Sequence, residues 1–282
     1  MPKGDKGEGI LTLVASPIGN DLDFSPRARS VIEGADLIAA EDTRRFLALC
    51  SREKMSVKGK IFSYYDQVEK GKAAKIVDEV LSGAKAVLIS DAGMPVINDP
   101  GYVVVNEAIK RGAKVTCVPG PCAAVTALIL SGFRADKFCF EGFVPRKEGE
   151  RKREFEKLRS EERTAIFYES AKRLEGSLKG MEEILGPNRR ICIARELTKE
   201  HEEVLRLTLG QAAGLKGIMG EIALVVEGCP PRKGEAADFV EEAERMAREG
   251  ARLKDAVKEI AKREGVSAHE LYEKVQESRR GK

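Results

Sequence analysis

The chain has 282 residues, enough for about two domains, and its 42% hydrophobic content can fill buried cores. Forty-nine Lys and Arg against 46 Asp and Glu leave a net charge of +3. This excludes a protein that coats nucleic acid by bulk charge, so any such contact must be a local patch. Two histidines, and six cysteines without a CxxC pair, argue against a histidine-rich metal centre, a zinc ribbon, an iron–sulfur cluster or thioredoxin chemistry, so no metal is expected.

The opening MPKGDKGEG lacks the apolar core of a signal peptide, and its GDKGEG string reads as disordered. No apolar run approaches the roughly 20 residues that cross a bilayer. With its cysteines in apolar contexts, the chain reads as a soluble cytoplasmic protein without a membrane partner. The run ILTLVA predicts a buried strand over 10–15 that ends in the loop SPIGN. Ser25 then caps a helix with Pro26 at its first position. A strand over 36–40 runs directly into EDTRR. A helix over 68–81 precedes a strand over 86–90, the loop DAGMPVINDPG, a helix over 102–111 stopped by Gly112, a strand over 115–118 and the turn PGPC. Alternation of strand and helix implies parallel strands with crossovers, hence an α/β sheet.

A second α/β unit follows, with an apolar helix over 122–130. Strands are expected at 138–143, 164–168, 191–194, 204–207 and 222–226, and helices near 173–185 and 211–215, with more antiparallel pairing than in the first unit. CPPRKG at 229–234 is a compositional break. Beyond it, short amphipathic helices are expected at 237–248, 253–263 and 268–277, with Ser267 as an N-cap. The implied division is an N-terminal α/β domain at 1–120, a C-terminal α/β domain at 121–230 and a helical tail at 231–282.

SPIGN, AEDTR, SDAGMP and PGPC all follow strands, where open α/β sheets bind ligands. No GxGxxG or GxxxxGK[ST] is present, so a nucleotide-like ligand would bind without those fingerprints. Eight blocks then occur in order over 11–228: LTLVASPIGN, LIAAEDTRR, LISDAGMPVINDPG, PGPCAAV, FEGFVPRKEGER, IFYES, ARELTKEHEE and EIALVVEG. This succession closely resembles the tetrapyrrole methylase superfamily of S-adenosylmethionine-dependent enzymes. AEDTR, FVPRK and ARELTK are similar to its ribosomal-RNA-modifying branch rather than to the tetrapyrrole-modifying one.

The resemblance implies two α/β domains with the donor in the cleft between them, a C-terminal helical extension and a homodimer. It implies 2′-O-methylation of a decoding-centre cytidine in small-subunit (16S) ribosomal RNA, with S-adenosyl-L-methionine as donor. It places donor contacts on Pro17, Ala92, Gly93, Met94, Ile97, Cys122 and Ala123, and on Tyr168, Ala194 and Ile222 of the second domain. Met94 and Cys122 stand where the family usually has Thr and Ser, and YESAKR stands for YESPHR; none of these changes removes a group that methyl transfer requires.

A ribose hydroxyl must lose its proton, so a carboxylate facing the cleft is expected. Glu41 and Asp42 with Arg44 are the first candidates, followed by Glu169, Glu196 and Lys199. The acidic pair equally fits a helix cap, and Arg195–Glu196 a structural ion pair. The segment 146–163 carries Arg146, Lys147, Arg151, Lys152 and Arg153, and Arg44 and Arg45 could extend it; with six glutamates its net is +2. It fits RNA-phosphate contact or a solvated helix. With no Trp and only five Tyr, recognition by RNA shape is expected over extensive base stacking. A tetrapyrrole methylase and a non-catalytic RNA-binding assembly factor stay open as alternatives.

Overall fold

The computed structural model describes residues 8–230 and 235–280. Most of the GDKGEG string, residues 231–234 of the compositional break and Lys282 lie outside the described residues. Contacts divide the chain after Cys229 into two compact bodies.

The first body opens with β1 (Ile10–Val14), α1 (Pro26–Glu33), β2 (Leu37–Ala40), α2 (Thr43–Arg52), β3 (Lys60–Ser63), α3 (Asp66–Leu81), β4 (Lys85–Ile89), α4 (Tyr102–Lys110) and β5 (Lys114–Val118). The strands form one parallel sheet in the order β3-β2-β4-β1-β5. Both faces are covered, which is why these strands are apolar runs rather than alternating ones. Along β4, Val87 and Ile89 pack with Ala28 and Ile32 of α1 and Phe46 and Leu49 of α2. Ala86 and Leu88, pointing the other way, pack with Ile76 and Val80 of α3 and Val104 of α4. Ser25 Oγ accepts from Ala28 N and Pro26 opens α1, as the sequence predicts.

A second five-stranded sheet follows, in the order β6-β7-β10-β8-β9. Its elements are α5 (Ala123–Ser131), β6 (Phe138–Phe143), α6 (Glu148–Lys157), β7 (Thr164–Ser170), α7 (Ala171–Leu185), β8 (Arg190–Arg195), β9 (Glu203–Thr208), α8 (Leu209–Ala212) and β10 (Glu221–Val226). β6 pairs parallel to β7 and the remaining pairs are antiparallel, the mixed pairing expected of the second unit. One face packs Phe167, Ile193 and Leu224 with Phe155, Leu178 and Met181 of α6 and α7. The other packs Ile166, Cys192, Ala194 and Ala223 with Ala124, Ala127 and Leu128 of α5.

The second body holds a 3-10 turn (Ala236–Phe239), α9 (Val240–Arg248), α10 (Leu253–Glu264) and α11 (Ala268–Arg280) around Ala243, Val257, Ile260, Leu271 and Val275. The helix expected to start at 237 begins as a 3-10 turn, at whose start Glu235 N donates to Asp238 Oδ2 at 2.9 Å. β3 was not expected: KIFS is four residues long and sits among lysines, and only pairing to β2 makes it a strand.

Candidate active site

The site lies at the carboxyl ends of β1, β2 and β4. β1 and β4 are neighbours, yet the chain leaves β1 toward β2 and leaves β4 toward β5. That divergence opens the crevice where such sheets bind ligands. Ser16 and Gly93 bridge its floor by reciprocal backbone hydrogen bonds of 2.9 and 3.0 Å. Buried Ser16 Oγ donates to Ser90 O at 2.9 Å, and Ser90 Oγ donates to Gly93 O at 3.0 Å. Gly93 has φ +84°, and a Cβ there would stand 3.3 Å from Ile18 Cγ2 and 3.4 Å from Pro121 O. A glycine is therefore what lets the two loops close.

Above this floor is a cavity of about 460 Å3, within the usual range for small-molecule sites. Ala92, Gly93, Met94, Ile97, Cys122, Ala123, Tyr168, Ala194 and Ile222 line it together, joining both sheets at one site. Pro17 lies instead in an adjoining cavity of about 270 Å3 that shares Ile18, Arg45, Asp91, Ala92 and Glu221 with the first. Cys122 is the N-cap of α5 but makes no side-chain cap bond. Tyr168 Oη accepts from Ala124 N at 3.1 Å in its place, and burial pushes the phenol up to about 12.

Glu41, Asp91, Asp99 and Glu221 bring acid to the cavity wall, and Arg45, the cation among the lining residues, is already paired with Asp91 at 3.1 Å. Glu41 Oε2 accepts from Asp91 N at 3.0 Å, and Asp91 Oδ1 accepts from Asp42 N at 3.0 Å, so the loops after β2 and β4 brace one another. Burial raises the Glu41 carboxyl above the usual range. Asp99 is pushed up to about 7, chiefly by burial and then by the charge of Glu41. An acidic, partly apolar cavity repels phosphate groups and suits a small cation.

The loops are held in uncommon backbone conformations. Among the described non-glycine residues of these loops, Val96 (φ 75°), Asn98 (66°), Glu196 (50°) and Thr198 (66°) have positive φ. The first two flank Ile97 and precede Asp99, and Val96 is β-branched, for which this region is unusual; such strain clusters at functional sites.

The remaining expected residues are placed as follows. Asp42 caps α2 and holds Arg44 by its backbone N and guanidinium at 2.6 to 3.1 Å, which keeps the Asp42 carboxyl well below its ordinary range. Neither residue lines the cavity, and Arg44 is 89% exposed. Glu196 accepts from Glu221 N and from Lys199 Nζ, and Lys199 also pairs with Glu221 at 2.9 Å. This cluster anchors the start of β10. The Glu169 backbone borders the cavity, but its side chain is 0% exposed and turned to α7. Arg146, Lys147, Lys152 and Arg153 are exposed on or just before α6, and Arg151 is half-buried. Sequence reasoning passed over Asp99 and Phe143, both on the cavity wall. The available signals were a second acid in the loop DAGMPVINDPG and an aromatic just after a strand glycine.

A parallel sheet joined to a mixed sheet, with a glycine-floored acidic cavity shared by both, is the architecture of a methylase of the tetrapyrrole type. The model of that family, Tetrapyrrole (Corrin/Porphyrin) Methylases, matches residues 11–213, and the chain belongs to this family. Among its relatives is a Mycobacterium tuberculosis protein named ribosomal RNA small subunit methyltransferase I, 43% identical over 275 residues and 96% of both chains. A Halalkalibacterium halodurans protein of the same name is 41% identical over 274 residues and 94% of both chains. The fold is similar to that of the Thermus thermophilus uroporphyrin-III C-methyl transferase complexed with S-adenyl homocysteine. That match has a TM-score of 0.53 at 15% identity, over 77% of this chain and 96% of that one.

Proposed function

We propose that the chain methylates the ribose 2′-oxygen of a cytidine in the decoding centre of small-subunit ribosomal RNA, with S-adenosylmethionine as donor. The observation that carries this reading is the acid-lined cavity at the diverging strand ends, in a chain alike along its length to proteins bearing that RNA methyltransferase name. The residues present fit the donor. Gly93 leaves space no Cβ would leave, Ala92, Met94, Ile97, Ala123, Ala194 and Ile222 offer apolar contact, and the carboxylates balance a positively charged ligand. When bound, the sulfonium supplies an electrophilic methyl group. The reading also takes 1–120 and 121–230 as the domains flanking the donor, and the chain as a cytoplasmic homodimer.

In this reading Asp99 takes the proton from the attacking hydroxyl, because it lines the cavity and a base with a pKa near the working pH is the most effective. Glu41 acts through Asp99, as a neighbouring negative charge, and through Asp91, whose backbone it holds. Orientation of the two reactants supplies the larger part of the acceleration. Asp42 holds the exposed Arg44, and Arg44, Arg45, Arg146, Lys147, Arg151, Lys152 and Arg153 are the proposed phosphate contacts.

The test is transfer of labelled methyl to unmethylated small subunits, protein-free 16S RNA and a porphyrinogen. Label on a single cytidine ribose is the expected result; label on the porphyrinogen, or none with donor bound, overturns the reading. In the same assay, replacing Arg146, Lys147 and Lys152 together by Ala should weaken RNA binding. The slope of log K against log salt should flatten by about 0.7–0.9 for each phosphate that is no longer neutralised. An unchanged slope would remove these residues from the interface. Gly93→Ala should destabilise the protein by about 1–2 kcal/mol, since a side chain at φ +84° is strained there. Thermal unfolding measures this, and unchanged stability would mean that the loop has relaxed out of this conformation.

A further inference from the structure

β6 contains a bulge whose consequence is confined to one side chain. Phe140 is in register with Ile166 and Phe143 with Tyr168, so Glu141 and Gly142 together oppose Phe167 alone. Regular alternation would put Phe138, Phe140 and residue 142 on one face and Phe143 on the other. The extra residue reverses this, and Phe143 emerges on the face of Phe140. Both rings meet Tyr168 edge-on, at 4.9 Å for Phe140 and 5.6 Å for Phe143. Gly142 takes the turn at φ +71°, and a Cβ there would come within 3.1 Å of Asn98 Oδ1. The bulge is thereby pressed against the strained loop that carries Asp99. Bulges of this kind re-aim a side chain beside a site.

The re-aimed ring is not buried. Phe143 is 52% exposed and lines the cavity, whereas Phe155 and Phe167 in the core beneath are at most 1% exposed. It packs edge-to-face with Tyr168, and about half of its surface stays exposed on the cavity wall. Electrostatics are unfavourable to phosphate on this acidic wall, so the complementary partner is a planar, weakly charged ring. We propose that Phe143 is the stacking face for a heteroaromatic base brought into the cavity. This rests on the methyl-transfer reading, which supplies two such bases: that of the accepting nucleotide and the adenine of the donor.

The experiment compares wild type, Phe143→Leu and Phe143→Tyr. Calorimetry with S-adenosylhomocysteine reads the adenine arm. Binding of protein-free 16S RNA, and the KM for subunits at saturating donor, read the nucleotide arm. Phe143→Leu should weaken one arm by about 5- to 150-fold, the range of base–aromatic stacking, and leave the other within twofold; Phe143→Tyr should restore it. Whichever arm moves names the base. If Phe143→Leu moves neither, or Phe143→Tyr fails as Leu does while thermal unfolding stays that of wild type, the proposal is overturned. If wild type transfers no methyl to RNA, the function reading fails on its own, and the two binding measurements still decide the role of Phe143.

Discussion

Asp99→Asn should lower methyl transfer by about 10²–10⁴-fold, the usual contribution of a positioned base, while S-adenosylhomocysteine binding changes by only a few fold. Asn keeps the size of the side chain and removes its ability to accept a proton. In wild type, kcat/KM for the donor should rise with pH and level off above about 7, where Asp99 is ionised. The variant should lack that limb. The groups that face Asp99 set its position. Burial raises it most, Glu41, Asp91 and Asp66 add negative charge, and the neighbouring Ser90 side chain works the other way. Arg45 is engaged with Asp91, and Tyr168 is pushed up to about 12, so neither titrates in this range. Glu41→Gln removes one like charge, so its pH limb should move to lower pH. A purely structural Glu41 would reduce the rate without moving the limb. Retention of full activity in Asp99→Asn would sink the assignment.

The same carboxylate carries a stability signature of opposite sign to that of an ion-paired acid. Its folded pKa lies near 7 and its ordinary value is 3.8. Between those values the native state binds more protons than the unfolded chain, so stability falls as pH rises from about 4 to 7 and stays lower above. Asp99→Asn should abolish that decline and unfold at a higher temperature than wild type at pH 8. An inactive variant that is more stable than its parent is what an acid held unfavourably for chemistry predicts. Thermal unfolding across this pH range measures it.

Much of this site was legible because loops after strands declare themselves through Pro, Gly and Asn. SPIGN, DAGMPVINDPG and PGPC needed only their position after apolar runs to mark one edge of a sheet. What failed to show is tertiary in origin. The character of Asp99 comes from burial and from Glu41, 58 positions earlier in the chain. The bulge at Gly142 is a property of β6 paired with β7, and in FCFEGF alone its one mark is the glycine before Phe143. The acidic pair of AEDTR was ambiguous between cap and site, and the fold separates it: Asp42 caps α2 and Glu41 reaches the cavity wall.

Glu169, a catalytic candidate in the sequence, is placed by the packing of its strand. Along β7, Ile166 and Tyr168 pack on the α5 side while Phe167 packs on the α6–α7 side. Period-two alternation therefore sends Glu169 away from the cavity. There its carboxylate pairs with Arg173 at 2.6 Å, accepts from buried Ser177 Oγ at 2.5 Å and from Ser170 N at 2.7 Å. It ties the end of β7 to the first turns of α7, where an acid also complements the helix dipole. Glu169→Ala should destabilise the protein by about 3 kcal/mol, because Ser177 stays buried without its acceptor while half-exposed Arg173 can turn to water. For a body of this size that is a fall in Tm of roughly 6–12 °C. Methyl transfer per folded molecule, measured well below the new Tm, should stay within a few fold of wild type. The opposite pattern, full stability with transfer abolished as in Asp99→Asn, would return Glu169 to the chemistry and require its side chain to swing across the strand.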